Sequence, residues 1–174
     1  MMDALSSSPQ VPRIRCVSES ETIAAGRRLG AVLRTGDIVS LHGPLGAGKT
    51  VLVRGIASGC GADAHLVKSP TFVLHHIYRG GRIPVHHIDL YRLGPGCDAT
   101  FLDLETLLLG GAVVVEWGEL GDLSRYEPAD VFIHIKEEGP LKEEGPREVV
   151  LEPRTRNHLG VAWTAQALTD SRRP

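Results

Sequence analysis

Cysteine is scarce in this chain. Cys16, Cys60 and Cys97 are odd in number and far apart, and no Cys-x-x-Cys pair occurs. That excludes a full disulfide framework and a familiar zinc cage, and leaves small buried or half-buried thiols. Long apolar runs are missing too: no stretch of 18 or more apolar residues exists, so no transmembrane helix is expected. Residues 1–12 contain Ser and Pro without a long apolar core, which reads as a flexible lead-in and not as a signal peptide. Nor does one sign of charge dominate. Nineteen Lys and Arg stand against 21 Asp and Glu, for a net charge of -2. That argues against non-specific binding of nucleic acid through a basic surface, although a local patch of Arg27, Arg28, Arg54 and Arg92 is compatible with it. There is no internal repeat. Together these absences predict a cytoplasmic protein in a reducing compartment, without membrane contact.

What is present is ordinary for a globular domain: 174 residues, 42% apolar and 23% charged. A chain of this length forms one domain that buries roughly 70% of its unfolded surface. The expected division is a lead-in over 1–12, a domain over 13–153, and a tail over 154–174 holding a short helix. Ile14 to Val17 predicts a first strand. Ser18 with Glu21 three residues on is a capping-box pattern, opening a helix that runs to about Thr35-Gly36. Asp37 to His42 is a compact β-prone run, and the residues after Lys49 suit a helix stopped by Gly59-Cys60-Gly61. Thr71 to Tyr78 and Ile83 to Asp89, separated by Arg79-Gly80-Gly81-Arg82, predict a hairpin. Phe101 to Leu108 has helical spacing. Ala112 to Val115, closed by Glu116, is the wholly apolar run expected of a central parallel strand. Val131 to Lys136 and Glu148 to Leu151 predict a second hairpin. The sum is an α/β fold, a P-loop NTPase-like three-layer sandwich whose central sheet mixes parallel and antiparallel strands.

The chemistry sits in Gly43-Pro44-Leu45-Gly46-Ala47-Gly48-Lys49-Thr50, between a predicted strand and a predicted helix. Glycines stand where the backbone must fold around an anion. The amides of Leu45, Gly46, Ala47, Gly48, Lys49, Thr50 and Val51 are then the candidates to face phosphate oxygens, aided by the positive end of the helix. Lys49 would reach the β and γ phosphates and the Thr50 hydroxyl would ligate Mg2+. Hydrolysis needs a carboxylate besides, to serve the metal or orient water. Glu116 and Asp89 are the candidates, each closing a predicted strand at its carboxyl end. The plain alternative for each is a polar strand cap. Pro70 holds Ser69 extended, so the stiff Ser69-Pro70-Thr71 segment can present Thr71 toward a γ-phosphate; alone, such a segment is more often only a turn. His86 and His87 alternate in a strand, one facing in and one out, without metal-ligand company. No Asn-Lys-x-Asp of the guanine-reading kind occurs, which favours ATP. Glu19 and Thr22, in the capping region, are candidates to border the base.

The order of these pieces resembles the TsaE family, small bacterial ATPases required to make threonylcarbamoyladenosine in tRNA. The likeness rests on Gly43 to Thr50, on Val67-Lys68-Ser69-Pro70-Thr71-Phe72, on His87-Ile88-Asp89-Leu90-Tyr91-Arg92-Leu93 and on Val115-Glu116-Trp117. It implies that Glu116 serves the magnesium, that Asp89 is an acid needed for hydrolysis, that Thr71 belongs to a switch-like segment, and that Trp117 lies beside the site. It also implies two partner proteins, TsaB and TsaD, which carry out the transfer to the adenosine 3′ of the anticodon, with tRNA reached through that complex. Gly94-Pro95-Gly96-Cys97 and the insert around Glu137 to Pro146 depart from the family pattern, away from the phosphate loop. Arg147 matches a basic residue of the family's late hairpin.

Two other functions use the same loop. A small-molecule kinase needs an arginine-bearing lid, and none is found between Phe101 and Val113. A nucleotide-gated binding module would need no hydrolysis, and would leave Glu116 and Asp89 as strand caps. With only Arg92 near the Asp89 segment as a candidate finger, slow intrinsic turnover is expected.

Overall fold

The computed structural model describes residues 13–98, 102–135, 147–152 and 158–159. Seven strands form one sheet: β1 (Arg13–Cys16), β2 (Ile38–His42), β3 (His75–Tyr78), β4 (Val85–Asp89), β5 (Ala112–Glu116), β6 (Ala129–Ile135) and β7 (Arg147–Glu152). Their order across the sheet is β1-β7-β6-β2-β5-β4-β3. The centre is parallel, β6 and β5 flanking β2 and β4 following β5, while the β3–β4 and β6–β7 hairpins and β1 add antiparallel wings. The mixed sheet expected from the sequence is therefore the one observed. Every residue of β2, β4 and β5 is buried, as strands covered on both faces require.

Alternation along those strands sorts the core into two layers. Val39, Leu41, Ala112 and Val114 face α1 (Glu19–Val32) and α2 (Lys49–Gly59); Ile38, Val113, Val115 and Ile88 face α3 (Leu104–Gly110) and the loops around Leu123. Helices α1 and α2 touch almost backbone to backbone. A Cβ on Gly30 would stand 2.1 Å from the Ile56 carbonyl oxygen, one on Gly26 2.3 Å from that of Leu52, and ones on Gly55 and Gly59 2.2 Å from those of Ile23 and Arg27. Four glycines thus let the P-loop helix lie against its neighbour. Ser18 caps α1, its Oγ accepting from Glu21 N at 3.2 Å, while the Glu21 carboxylate reaches back to Val17 N.

Some boundaries differ from expectation. Helix α1 stops at Val32, because the chain turns extended at Leu33 and the Asp37 carboxylate takes the Arg34 amide at 2.6 Å. Strand β3 begins only at His75. Before it, Val73 and Leu74 N–H both turn back onto the Pro70 carbonyl, and Leu74 adopts φ 65°. The 1–12 lead-in, Phe101, the 137–146 insert and the 154–174 tail apart from His158 and Leu159 lie outside the described residues. Those two are helical; Leu159 joins the core and His158 Nε2 lies 3.0 Å from Asp37 Oδ2. Among the described residues no helix is long and apolar enough to cross a membrane.

Candidate functional site

The loop after β2 is built by backbone conformations that only glycine adopts freely. Gly46 and Gly48 take φ 79° and 93°, and a Cβ on Gly43 would meet the Ile133 carbonyl oxygen at 2.6 Å. Ala47 N–H closes the turn on the Pro44 carbonyl at 3.2 Å. Gly48 is the N-cap of α2 and supplies no side-chain acceptor, and no acidic residue stands in the first turn. The first amides of the helix therefore present unpaired hydrogens and the positive end of the dipole to whatever anion enters.

Lys49 folds back over this loop. Its Nζ donates to the Gly43 and Pro44 carbonyls at 2.6 and 2.9 Å and sits 3.5 Å from the centre of the Trp117 ring. Burial pushes the Lys49 pKa down, against the opposing pull of the Glu116, Glu119 and Asp89 carboxylates. The ammonium is thus held by weak acceptors in a place where a polyphosphate would be a stronger partner. Trp117 is turned into position by a left-handed backbone, φ 60°, directly after β5.

Two carboxylates face this loop from adjacent parallel strands, paired in register as Asp89 and Glu116. Glu116 Oε1 accepts from the Thr50 hydroxyl at 2.7 Å and lies 2.8 Å from His87 Nε2. Asp89 Oδ2 accepts from the Ser69 and Thr71 hydroxyls at 3.0 and 2.5 Å, and its Oδ1 takes the Tyr91 amide at 2.9 Å. Asp89 therefore holds the Ser69-Pro70-Thr71 segment against the sheet. The Thr50 hydroxyl and Glu116 carboxylate are hard oxygen donors side by side at the end of the glycine-rich loop. That donor set suits Mg2+, which keeps most of its water and takes one or two protein oxygens.

Lys49, Thr50, Ser69, Thr71, Asp89, Glu116 and Trp117 line one cleft of about 390 Å³, bounded also by Glu19, the rest of the loop from Leu45 to Val51, and Tyr91. The structure thus brings together Leu45, Gly46, Ala47, Gly48, Lys49, Thr50, Val51, Thr71, Asp89, Glu116 and Glu19, the last ion-paired to Arg54 at 2.6 Å. It does not bring in Thr22, which is fully buried with its hydroxyl on the Ser18 carbonyl and cannot border a base. Ser69 and Tyr91 line the cleft and were not singled out as site residues. His87, for which the sequence offers no metal-ligand company, is fully buried with its Nε2 2.8 Å from Glu116 Oε1. Nor does either neighbouring histidine face solvent: β4 is covered on both sides, so His86 is buried as well. Among the described residues no arginine lines the cleft; Arg92 lies over the Phe72 ring at 5.4 Å.

Comparison with known proteins adds a family context. A family profile described as threonylcarbamoyl adenosine biosynthesis protein TsaE matches residues 16–145. The tRNA threonylcarbamoyladenosine biosynthesis protein TsaE of Mycobacterium leprae is 46% identical over 112 residues, 59% of this chain and 69% of that protein. Its namesake from a Nostoc species is 36% identical over 149 residues, 83% of this chain and 87% of that one. Among solved structures, Bacillus subtilis YdiB superposes with a TM-score of 0.68 at 25% identity, over 94% of this chain and 99% of its own.

Proposed function

The chain belongs to the TsaE family of threonylcarbamoyl adenosine biosynthesis proteins, and on that premise we propose that it is the ATP-hydrolysing accessory protein of tRNA threonylcarbamoyladenosine synthesis. It acts in the cytoplasm with TsaB and TsaD, which perform the transfer and carry the tRNA. One observation carries the reading: Lys49, Thr50, Glu116 and Asp89 line one cleft, with the Thr50 hydroxyl hydrogen-bonded to Glu116.

In this reading the amides from Leu45 to Val51 donate to the β and γ phosphates. Lys49 exchanges the Gly43 and Pro44 carbonyls for phosphate oxygens. Thr50 and Glu116 hold Mg2+, which when bound neutralises charge on those oxygens. Asp89 keeps Thr71 at the γ-phosphate end, where the attacking water arrives. Slow turnover by the isolated chain goes with this reading, the cleft lining holding no arginine among the described residues. Leu45, Phe72 and Tyr91, at and beside the cleft, are exposed apolar residues of the kind a protein partner covers.

The test is reconstitution with TsaB, TsaD, tRNA and the activated threonylcarbamoyl donor. Multiple-turnover modification should require this chain. Glu116→Gln should bind ATP yet hydrolyse it at least about a hundredfold more slowly, and should fail in reconstitution. Equal modification without the chain would overturn the proposal. Full modification with a hydrolysis-dead Glu116→Gln would replace it with a nucleotide-gated module.

A further inference from the structure

Behind Glu116 runs a chain of buried polar groups that the proposed chemistry does not use. His87 is fully buried in the middle of β4. Its Nε2 lies 2.8 Å from Glu116 Oε1 and its Nδ1 lies 3.0 Å from the Tyr78 hydroxyl, on the neighbouring strand β3. The same hydroxyl stands 3.0 Å from the Lys68 carbonyl, one residue before Ser69. Burial pushes the Tyr78 pKa up to about 12, so the phenol keeps its hydrogen. A carboxylate brings no hydrogen of its own, so Nε2 carries the one in that contact, and in the neutral ring Nδ1 is an acceptor within reach of Tyr78. The single phenolic hydrogen has two acceptors in reach, His87 on one side and the backbone of the Val67–Phe72 segment on the other.

The consequence concerns one oxygen atom. Thr50 and His87 both donate to Glu116 Oε1. A Thr50 oxygen that ligated a metal through a lone pair would keep its hydrogen for Glu116, so Oε1 has two donors in either state, and His87 is the one that would not touch the metal. Resting on the magnesium reading above, we propose that His87 and Tyr78 are positioning residues: His87 fixes Oε1 and with it the orientation of the carboxylate that would serve the metal, and Tyr78 fixes the His87 ring and ties it to the base of the Ser69-Pro70-Thr71 segment. An imidazole donor behind a carboxylate, with the phenol behind the imidazole, is an outer-shell arrangement, and groups of that kind set metal affinity without touching the metal.

The experiment compares wild type with His87→Leu, His87→Gln and Tyr78→Phe, each checked for native circular dichroism. Mn2+ affinity is read by electron paramagnetic resonance with a non-hydrolysable ATP analogue present, nucleotide affinity in EDTA, and kcat against KM. His87→Leu should weaken Mn2+ binding about tenfold, lower kcat, and leave metal-free nucleotide affinity and KM nearly unchanged. His87→Gln, which retains an N–H toward Oε1, should recover most of the Mn2+ affinity. Tyr78→Phe should weaken it by about threefold. Wild-type Mn2+ affinity in folded His87→Leu and Tyr78→Phe would overturn the proposal; should His87→Leu not fold, unchanged affinity in Tyr78→Phe overturns it alone. Failure of the wild type to bind the analogue with Mn2+ would instead sink the magnesium reading itself.

Discussion

Two imidazoles meet where β3 crosses β4: His75 Nε2 lies 3.1 Å from His86 Nδ1, with the rings stacked 5.3 Å apart. One hydrogen serves that contact, donated by one ring to the bare nitrogen of the other. Burial pushes both pKa values below the ordinary histidine value of 6.5, and neighbouring imidazoles push the same way. The sign follows. Below about pH 6.5 the unfolded chain takes up protons that the folded pair refuses, so stability falls as pH drops, until the folded groups titrate as well. Each histidine contributes at most about 1.4 kcal/mol per pH unit in that window. Urea midpoints measured from pH 7.5 to 5.5 should fall in the wild type and fall less steeply in His86→Gln; equal slopes would show that the pair does not titrate as argued. Single residues were legible in the sequence to unequal degrees. Lys49 and Thr50 stand in a contiguous motif whose backbone geometry is local. Asp89 and Glu116 were found because each closes a β-prone run. His87 was missed because its partner, Glu116, is 29 residues away and only the parallel register of β4 and β5 brings them together.

Helix α1 carries Gly26 and Gly30, and α2 carries Gly55 and Gly59. Each is a poor helix former, so intrinsic propensity argues against them. Packing explains them. At Gly30 an alanine would gain about 1 kcal/mol of helix propensity, but its methyl would stand 2.1 Å from the Ile56 carbonyl oxygen, which belongs to a helix backbone and cannot step aside. Forcing the helices apart costs typically 1–3 kcal/mol, occasionally more. The clash wins. Gly30→Ala should therefore be destabilised by about 2 kcal/mol in chemical denaturation, whereas Gly36→Ala, whose Cβ meets nothing within 4 Å but whose φ is 92°, reports backbone strain alone. A Gly30→Ala variant as stable as wild type would mean that the helices do not pack this closely. Hairpins and the buried parallel strand were legible because their signals are local: Gly80-Gly81 between β-prone runs, and four apolar residues before Glu116. The expected start of β3 at Thr71 gives way to the turn that the Val73 and Leu74 amides make on the Pro70 carbonyl. Asp89, 18 residues on, adds a non-local hold on the same segment through the Thr71 hydroxyl.

At the scale of the whole molecule, the α/β class was legible but the strand order was not. Pairing Arg13 with Val150 joins the two ends of the domain, and no local pattern announces a contact across that separation. The same topology decides how a ligand would act. The cleft is walled by the start of α1, the β2–α2 loop, the Ser69 to Thr71 segment and the carboxyl ends of β4 and β5, five pieces that coexist only in the folded sheet. The unfolded chain keeps none of that arrangement, so a nucleotide bound there stabilises the fold by mass action alone. At a free concentration of ATP and Mg2+ one hundred times the dissociation constant, the gain is about 2.7 kcal/mol, which for a domain of this size raises the melting midpoint by roughly 5 to 10 °C. Lys49→Ala removes the cation that faces the phosphates and should lose most of that rise at the same concentrations, while its own midpoint without nucleotide stays near or above wild type, since burial of the ammonium is itself unfavourable. A wild-type midpoint that does not move with saturating ATP and Mg2+ would remove the nucleotide from this cleft, and with it the reason for five separated pieces of chain to converge there.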